Sequence, residues 1–288
     1  MDVPEWKALV TVVDEKQQPV VGADVTIGFY VAPPADNPTG IATDAKRGVT
    51  DTNGVFTASG RSGSSDLFFG ASKAGYYHSH LEHEFARFKN DDPERLSPRI
   101  TLLLKKIIRP TAMYAKWNNL GMPIFDKSVG FDLSTGDWVA PYGKGPHSDI
   151  LFNAHLDQRS EKDYDYTLAV SFPNSGDGIQ DFVLPAASGA HAGSDLRSAQ
   201  EAPVEGYQPK WVQMKSLKPG AGYTGNWDAN RNYYIRVRTQ LDEHGNVISA
   251  LYGKIYGDFM QFTYYLNPTP NDREIEFDLN RNLLGEPK

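Results

Sequence analysis

The segment GYYHSHLEHEF, residues 75–85, gathers three imidazoles and two carboxylates within a few positions. Side chains of an extended strand alternate between faces, so His78, His80, Glu82 and Glu84 share one face while Ser79, Leu81, His83 and Phe85 share the other. A His-x-His pair on a strand can grip one transition-metal ion, and a carboxylate two or four residues further on can complete the set. The metal ligands expected here are His78, His80 and Glu84. The competing reading is a solvated strand face that carries His and Glu without an ion, and on residue types alone it is the stronger of the two.

Three further groups carry chemistry. NSGDGIQD (174–181) offers Asn174, Asp177 and Asp181, hard oxygen donors in a Gly-bearing loop of the kind Ca²⁺ takes. No Glu closes the set, and SGDG is equally good turn chemistry. In NYYIRVRTQL (232–241), alternation puts Tyr234, Arg236 and Arg238 on one face, and the following strand adds Tyr252, Lys254 and Tyr256. If the two strands pair through DEHGN (242–246) with these faces together, they form a basic, aromatic wall. Tyr rings stack on sugars, and Arg forks hold carboxylate or sulfate. The alternative is a solvated face with cross-strand cation–π pairs. Tyr223 and Trp227, in PGAGYTGNWDANRN (219–232), are candidate platforms on a binding loop. No catalytic residue is assigned: the chain has no Gly-x-Ser-x-Gly elbow, phosphate-binding loop, dinucleotide fingerprint or His-Glu-x-x-His. No organic cofactor is implied, only Ca²⁺ or a transition metal at the sites above.

The elements that must position these groups read as strands. KALVTVVD (7–14), ADVTIGFYV (23–31), DLFFGASKAGYY (66–77) and RITLLLKKI (99–107) are β-branched or alternating, and Asn53-Gly54 marks a tight turn. LEHEFARF (81–88) fits a helix or a strand. After Arg109-Pro110 the pattern restarts, which divides the chain into residues 1–108 and 109–288. A stretch rich in Gly, Ala, Ser, Pro and Asn runs from 186 to 231, a length that inside a domain marks a functional or disordered loop.

A chain of 288 residues is comfortable as two domains. With a net charge of −7 and no long basic run, nucleic acid is not expected as a partner. The absence of cysteine excludes disulfides, thiolate zinc sites and cysteine nucleophiles. No apolar run reaches the roughly 20 residues of a membrane helix. Met1-Asp2-Val3-Pro4 leads almost directly into a strand, as after removal of a signal peptide.

VVDEKQQPVVGADVTI, TDTNGVFTASG and FFGASKAGYY together resemble the carboxypeptidase regulatory-like domain, a prealbumin-like (transthyretin-like) β-sandwich related to bacterial Ig-like surface modules. Pro19, Gly22-Ala23, Thr50-Asp51-x-x-Gly54-x-Phe56 and Gly75-Tyr76 carry the likeness. It covers about a third of the chain, with Gln17-Gln18 in place of the usual Gly and an insertion over residues 30–48. It implies a non-catalytic module of periplasmic or extracellular proteins. His78-x-His80-x-x-x-Glu84 also resembles the first cupin motif, with a near miss to the second at Gly136, Pro141, Gly143, His147 and Asn153. The rest of the second half is similar only to uncharacterised bacterial surface proteins. The expected architecture is all-β, two tandem β-sandwich domains, the first prealbumin-like and the second larger and jelly-roll-like. The expected function is non-catalytic: an exported bacterial surface or periplasmic protein that binds a glycan or protein partner. The alternatives are a metal-dependent or carbohydrate-active enzyme and a structural spacer in an envelope assembly.

Overall fold

The computed structural model describes residues 3–31, 42–84, 96–119, 121–184 and 193–285. The fold is all-β, and among the described residues no helix is long and apolar enough to cross a membrane. These residues form two compact units. One holds the chain up to Ile107 together with residues 193–197, and the other holds Ile108–Leu184 and the chain from Ser198 onward.

In the first unit the strands are β1 (Glu5–Val13), β2 (Asp24–Val31), β3 (Ala42–Val49), β4 (Val55–Arg61), β5 (Asp66–Ser72), β6 (Ser79–Glu84) and β7 (Arg99–Leu103). Strands β4-β1-β7 make a three-stranded sheet in which β1 and β7 run parallel. Alternation sends Trp6, Ala8, Val10 and Val12 of β1 inward, against Val25, Ile27 and Phe29 of β2 and Leu67 and Phe69 of β5 in the other sheet. The corner between β3 and β4 depends on two polar residues. Asp51 Oδ1 accepts the N–H groups of Asn53 (2.9 Å) and Val55 (2.8 Å), and buried Thr50 donates to Val20 O (2.6 Å) while accepting from Ala23 N–H. Gly54 sits at φ +73°, and a Cβ there would stand 2.6 Å from Val12 O, so only glycine fits. LEHEFARF enters as strand as far as Glu84, and its remaining residues lie outside those described.

The second unit contains β8 (Thr111–Asn119), β9 (Ser128–Asp132), β10 (Asp137–Trp138), β11 (Ile150–Ser160), β12 (Asp163–Ser171) and β13 (Gly178–Val183). The short β14 (Gly193–Ser194) then pairs with β6, which completes a five-stranded sheet β14-β6-β5-β2-β3 in the first unit. Residues 193–197 thus belong to the first unit although they follow the expected boundary at 108, and nothing local in a Gly- and Ser-rich stretch announces such a non-local pairing. The remaining strands of the second unit are β15 (Lys210–Lys218), β16 (Gly222–Gly225), β17 (Arg231–Leu241), β18 (Val247–Asp258), β19 (Gln261–Leu266) and β20 (Phe277–Asn282). They complete two six-stranded sheets, β10-β9-β11-β12-β15-β16 and β13-β17-β18-β19-β8-β20. Phe131, Phe152, Leu168 and Val170 of the first sheet pack on Tyr233, Ile235, Ile255, Phe259 and Phe262 of the second.

Ion pairs join the two sheets, and the one built on Arg238 uses fully buried carboxylates. Arg238 of β17 donates from Nε to Asp149 Oδ1 (2.7 Å) and from Nη2 to Asp149 Oδ2 (3.0 Å), and it also reaches Asp132. Both carboxylates are fully buried side chains. Burial alone would raise the Asp132 carboxyl. Hydrogen bonds from the Ser134 side chain and from the N–H groups of His147, Ser134 and Thr135 outweigh that and hold it below the usual range. Its stabilising share is therefore present above the unfolded-state value and is lost as pH falls through the folded value. Arg238→Ala leaves two buried carboxylates without their cation, and denaturant unfolding of the variant is expected to show a loss of about 3 kcal/mol. In acid melts, Asp132→Asn is expected to flatten the fall in stability below about pH 4 that the parent chain shows.

Candidate metal centre and binding surface

The imidazoles of His78 and His80 lie side by side on the outer face of the five-stranded sheet, with ring centroids 5.6 Å apart and planes 20° from parallel. The carboxylate beside them is that of Asp195. Its Oδ2 is 3.9 Å from His78 Nδ1 and its Oδ1 is 3.7 Å from His80 Nδ1. Backbone bonding sets this placement. In the β14–β6 ladder Gly193 faces His80 and Ser194 faces Ser79, and Asp195 N–H donates to His78 O (2.9 Å).

For Glu84, the carboxylate expected from the sequence, the structure describes only the backbone. Its backbone faces Asp66 in the β5–β6 ladder, four residues along the strand from His80, which is about 13 Å at the usual rise. That is too far for one ion, and the Glu84 side chain lies outside the described residues. Glu82, on the same face, accepts a hydrogen bond from the Tyr30 hydroxyl (2.5 Å), and this bond, with burial second, pushes the Tyr30 phenol up to about 12. His147, Gly136, Pro141, Gly143 and Asn153 of the cupin-like near miss belong to the second unit, whereas His78 and His80 belong to the first.

The Ca²⁺ set does not converge. Asn174 turns its amide nitrogen toward Asp177 Oδ2 (3.0 Å), Asp177 Oδ1 accepts Thr239 N–H (2.7 Å), and Asp181 pairs with Arg231 at 3.3 Å. Burial raises the Asp177 carboxyl despite these hydrogen bonds. The group fastens the strand entry to β17.

The two strands pair with these faces together, Tyr234 facing Lys254 and Arg236 facing Tyr252, but the wall is not open to solvent. Tyr234, Tyr252, Lys254 and Tyr256 are all buried. Ala202, Tyr207, Ile275 and Phe277 cover this face, so the sheet is buried on both sides. Tyr234 stacks on Phe182 (4.4 Å), Arg236 lies 4.7 Å above the Tyr207 ring and donates to Gly176 O (2.7 Å), and Lys254 stands 5.0 Å from the rings of Tyr256 and Tyr265. Burial would raise the Tyr256 phenol, but the charge of Lys254 and hydrogen bonds from Ser198 hold it below its ordinary value. Arg238 leaves the face altogether. The ladder shifts register between Val237 and Gln240 and Arg238 has φ 54°, a bulge that reverses the alternation and sends its guanidinium into the sandwich.

Tyr223 and Trp227 remain exposed, at 51% and 50%. Tyr223 on β16 continues a cross-strand row with Leu217 and Tyr164, and the adjacent row holds Tyr166, Lys215 and Gly225. Lys215 Nζ is 3.0 Å from Asp258 Oδ2, which Gln213 also approaches at 3.4 Å. A half-exposed phenol ring thus flanks an ion pair and an amide at the free edge of a sheet. Sequence reasoning did not identify Lys215, Gln213 or Asp258, since only the packing of the two six-stranded sheets brings β15 and the end of β18 together. Asn226 holds the loop: its Oδ1 accepts Met214 N–H and its Nδ2 donates to Val212 O, both at 2.8 Å.

No family model matches the chain, and no curated protein matches it. Among solved structures, similarity is found to 3-chlorocatechol 1,2-dioxygenase from Rhodococcus opacus 1CP, at 17% identity over 37% of this chain with a TM-score of 0.29. The chain spans 61% of that protein and 54% of the catechol 1,2-dioxygenase from an Acinetobacter species. It is also similar to the shaft pilin SpaA of Lactobacillus rhamnosus GG, at 11% identity over 86% of this chain and 92% of the pilin, with a TM-score of 0.25. The major pilin subunit BcpA of Bacillus cereus gives 11% identity over 93% and 68%, with a TM-score of 0.24. At these TM-scores the likenesses carry no functional weight.

Asn226→Ala removes two side-chain hydrogen bonds, for a loss of about 1–2 kcal/mol in thermal melts. Faster amide exchange at Met214 with unchanged exchange on β17 is the expected signature of a loosened edge.

Proposed function

We propose that the protein is a non-catalytic, exported bacterial surface or envelope protein that binds a glycan at the β15–β16 edge of its second unit. The observation that supports this is the exposed Tyr223 ring beside the Lys215–Asp258 ion pair. An aromatic face packs against the C–H face of a pyranose, while the partly exposed ammonium of Lys215 and carboxylate of Asp258 offer a donor and an acceptor to its hydroxyls. Asn226 fixes the loop that carries Tyr223 and Trp227, so little ordering entropy is lost on binding. The first unit would act as the prealbumin-type scaffold that the resemblance implies.

The test is a glycan array with the full chain, followed by calorimetry on the tightest hit. Tyr223→Ala is expected to weaken binding at least tenfold, about 1.4 kcal/mol, and Trp227→Ala severalfold. An empty array with capture of a protein partner, equal affinity in both variants, or turnover of a polysaccharide would each overturn the proposal.

A further inference from the structure

We infer that the first unit binds one divalent first-row transition ion, with His78, His80 and Asp195 as its ligands. One ligand atom from each of the three lies within 4.8 Å of the other two. Bound to zinc, such donors sit about 2.0–2.2 Å from the ion and therefore roughly 3.3 Å from one another. Asp195 Oδ2 stands 3.9 Å from His78 Nδ1 and the other oxygen, Oδ1, stands 3.7 Å from His80 Nδ1; with one ligand atom per residue all within 4.8 Å, no edge of the set must close by more than about 1.5 Å. Rotation of the side chains achieves this, because all three are partly exposed, at 45%, 32% and 52%. The backbone need not move: the β14–β6 ladder and the Asp195 N–H···O bond to His78 already hold the three α-carbons in place. Gly70, the register partner of His80, puts no side chain beneath the imidazoles, and a Cβ there would stand 3.5 Å from His78 Nε2.

The donor types select the class of ion. Ca²⁺ and Mg²⁺ take oxygen ligands, whereas two imidazoles with one carboxylate suit Zn²⁺, Co²⁺, Ni²⁺, Cu²⁺ or Fe²⁺. Three protein ligands leave at least one coordination position open, and the exposure of all three provides an entry path. The ion joins β6 to a segment far along the chain, so it fastens residues 193–197 onto the first unit and stabilises that arrangement by mass action.

The test uses the full chain stripped with EDTA and titrated with Zn²⁺ alone. One ion per chain is expected, with affinity at least tenfold lower in His78→Ala, His80→Ala and Asp195→Asn, and a zinc-dependent rise in Tm that the variants lack. An independent readout on the unmodified chain is imidazole NMR with substoichiometric Co²⁺. Of the seven histidines, His78 and His80 are expected to show the strongest broadening. No bound ion at millimolar zinc, undiminished affinity in a folded Asp195→Asn chain, or dominant broadening at another histidine would each overturn the inference.

Discussion

Two hydrogen bonds decide what the second unit can present to solvent. Ser198 N–H donates to the Tyr256 hydroxyl and Ala199 N–H to the Tyr234 hydroxyl, each at 3.1 Å. They fix the point at which the chain turns onto the outer face of the β17–β18 sheet, and Ala202 and Tyr207 follow across it. A segment this poor in large apolar residues gains little from burial alone. It is held by polar groups of the sheet: phenol oxygens accept its N–H groups, and Arg236 donates to Val204 O (3.3 Å). The Tyr, Arg and Lys side chains that read as a recognition surface are what the protein uses to bind its own chain.

Much of the fold was legible because period-two alternation is local. The inward sets on β1, β2 and β5 are those the sequence marks as apolar, and the Asn53-Gly54 corner has the Asp51 cap that its residue types predict. The β17–β18 hairpin was legible too, through DEHGN, whereas its register was not. Two further things were not. The bulge at Arg238 carries no residue-type signal, yet one positive φ turns a wall residue into the cation of a buried pair with Asp149. Double-sided burial was hidden as well, since sheets covered on both faces usually read as continuous apolar runs, and here the second face is Tyr, Arg and Lys.

The imidazole cluster divides in the same way. His78-x-His80 was visible because two residues on one strand share a face by geometry alone. Glu84 is the carboxylate a search along one strand finds, because such a search sees only donors of that strand, while the structure sets Asp195 beside the imidazoles through a two-residue ladder from a distant segment. Convergence of ligands is a property of non-local pairing, and a short Gly-Ser strand gives no hydrophobic pattern from which to infer it.

The exposed edge at β16 raises a separate physical question, since free sheet edges invite pairing with other chains. Here the edge is short, and beyond Gly225 a side chain takes over from backbone: Asn226 satisfies Met214 N–H and Val212 C=O, groups that the next β-ladder position would otherwise engage. A Cβ at Gly225 would meet Met214 O at 2.3 Å, so the close approach that lets Asn226 reach β15 requires glycine. The same two residues therefore end the strand and hold the chain between Tyr223 and Trp227 against β15. An edge blunted in this way leaves fewer backbone groups for strand addition and keeps its aromatic rings at the surface. That favours a ligand recognised by ring stacking and side-chain polarity over one that docks by extending the sheet.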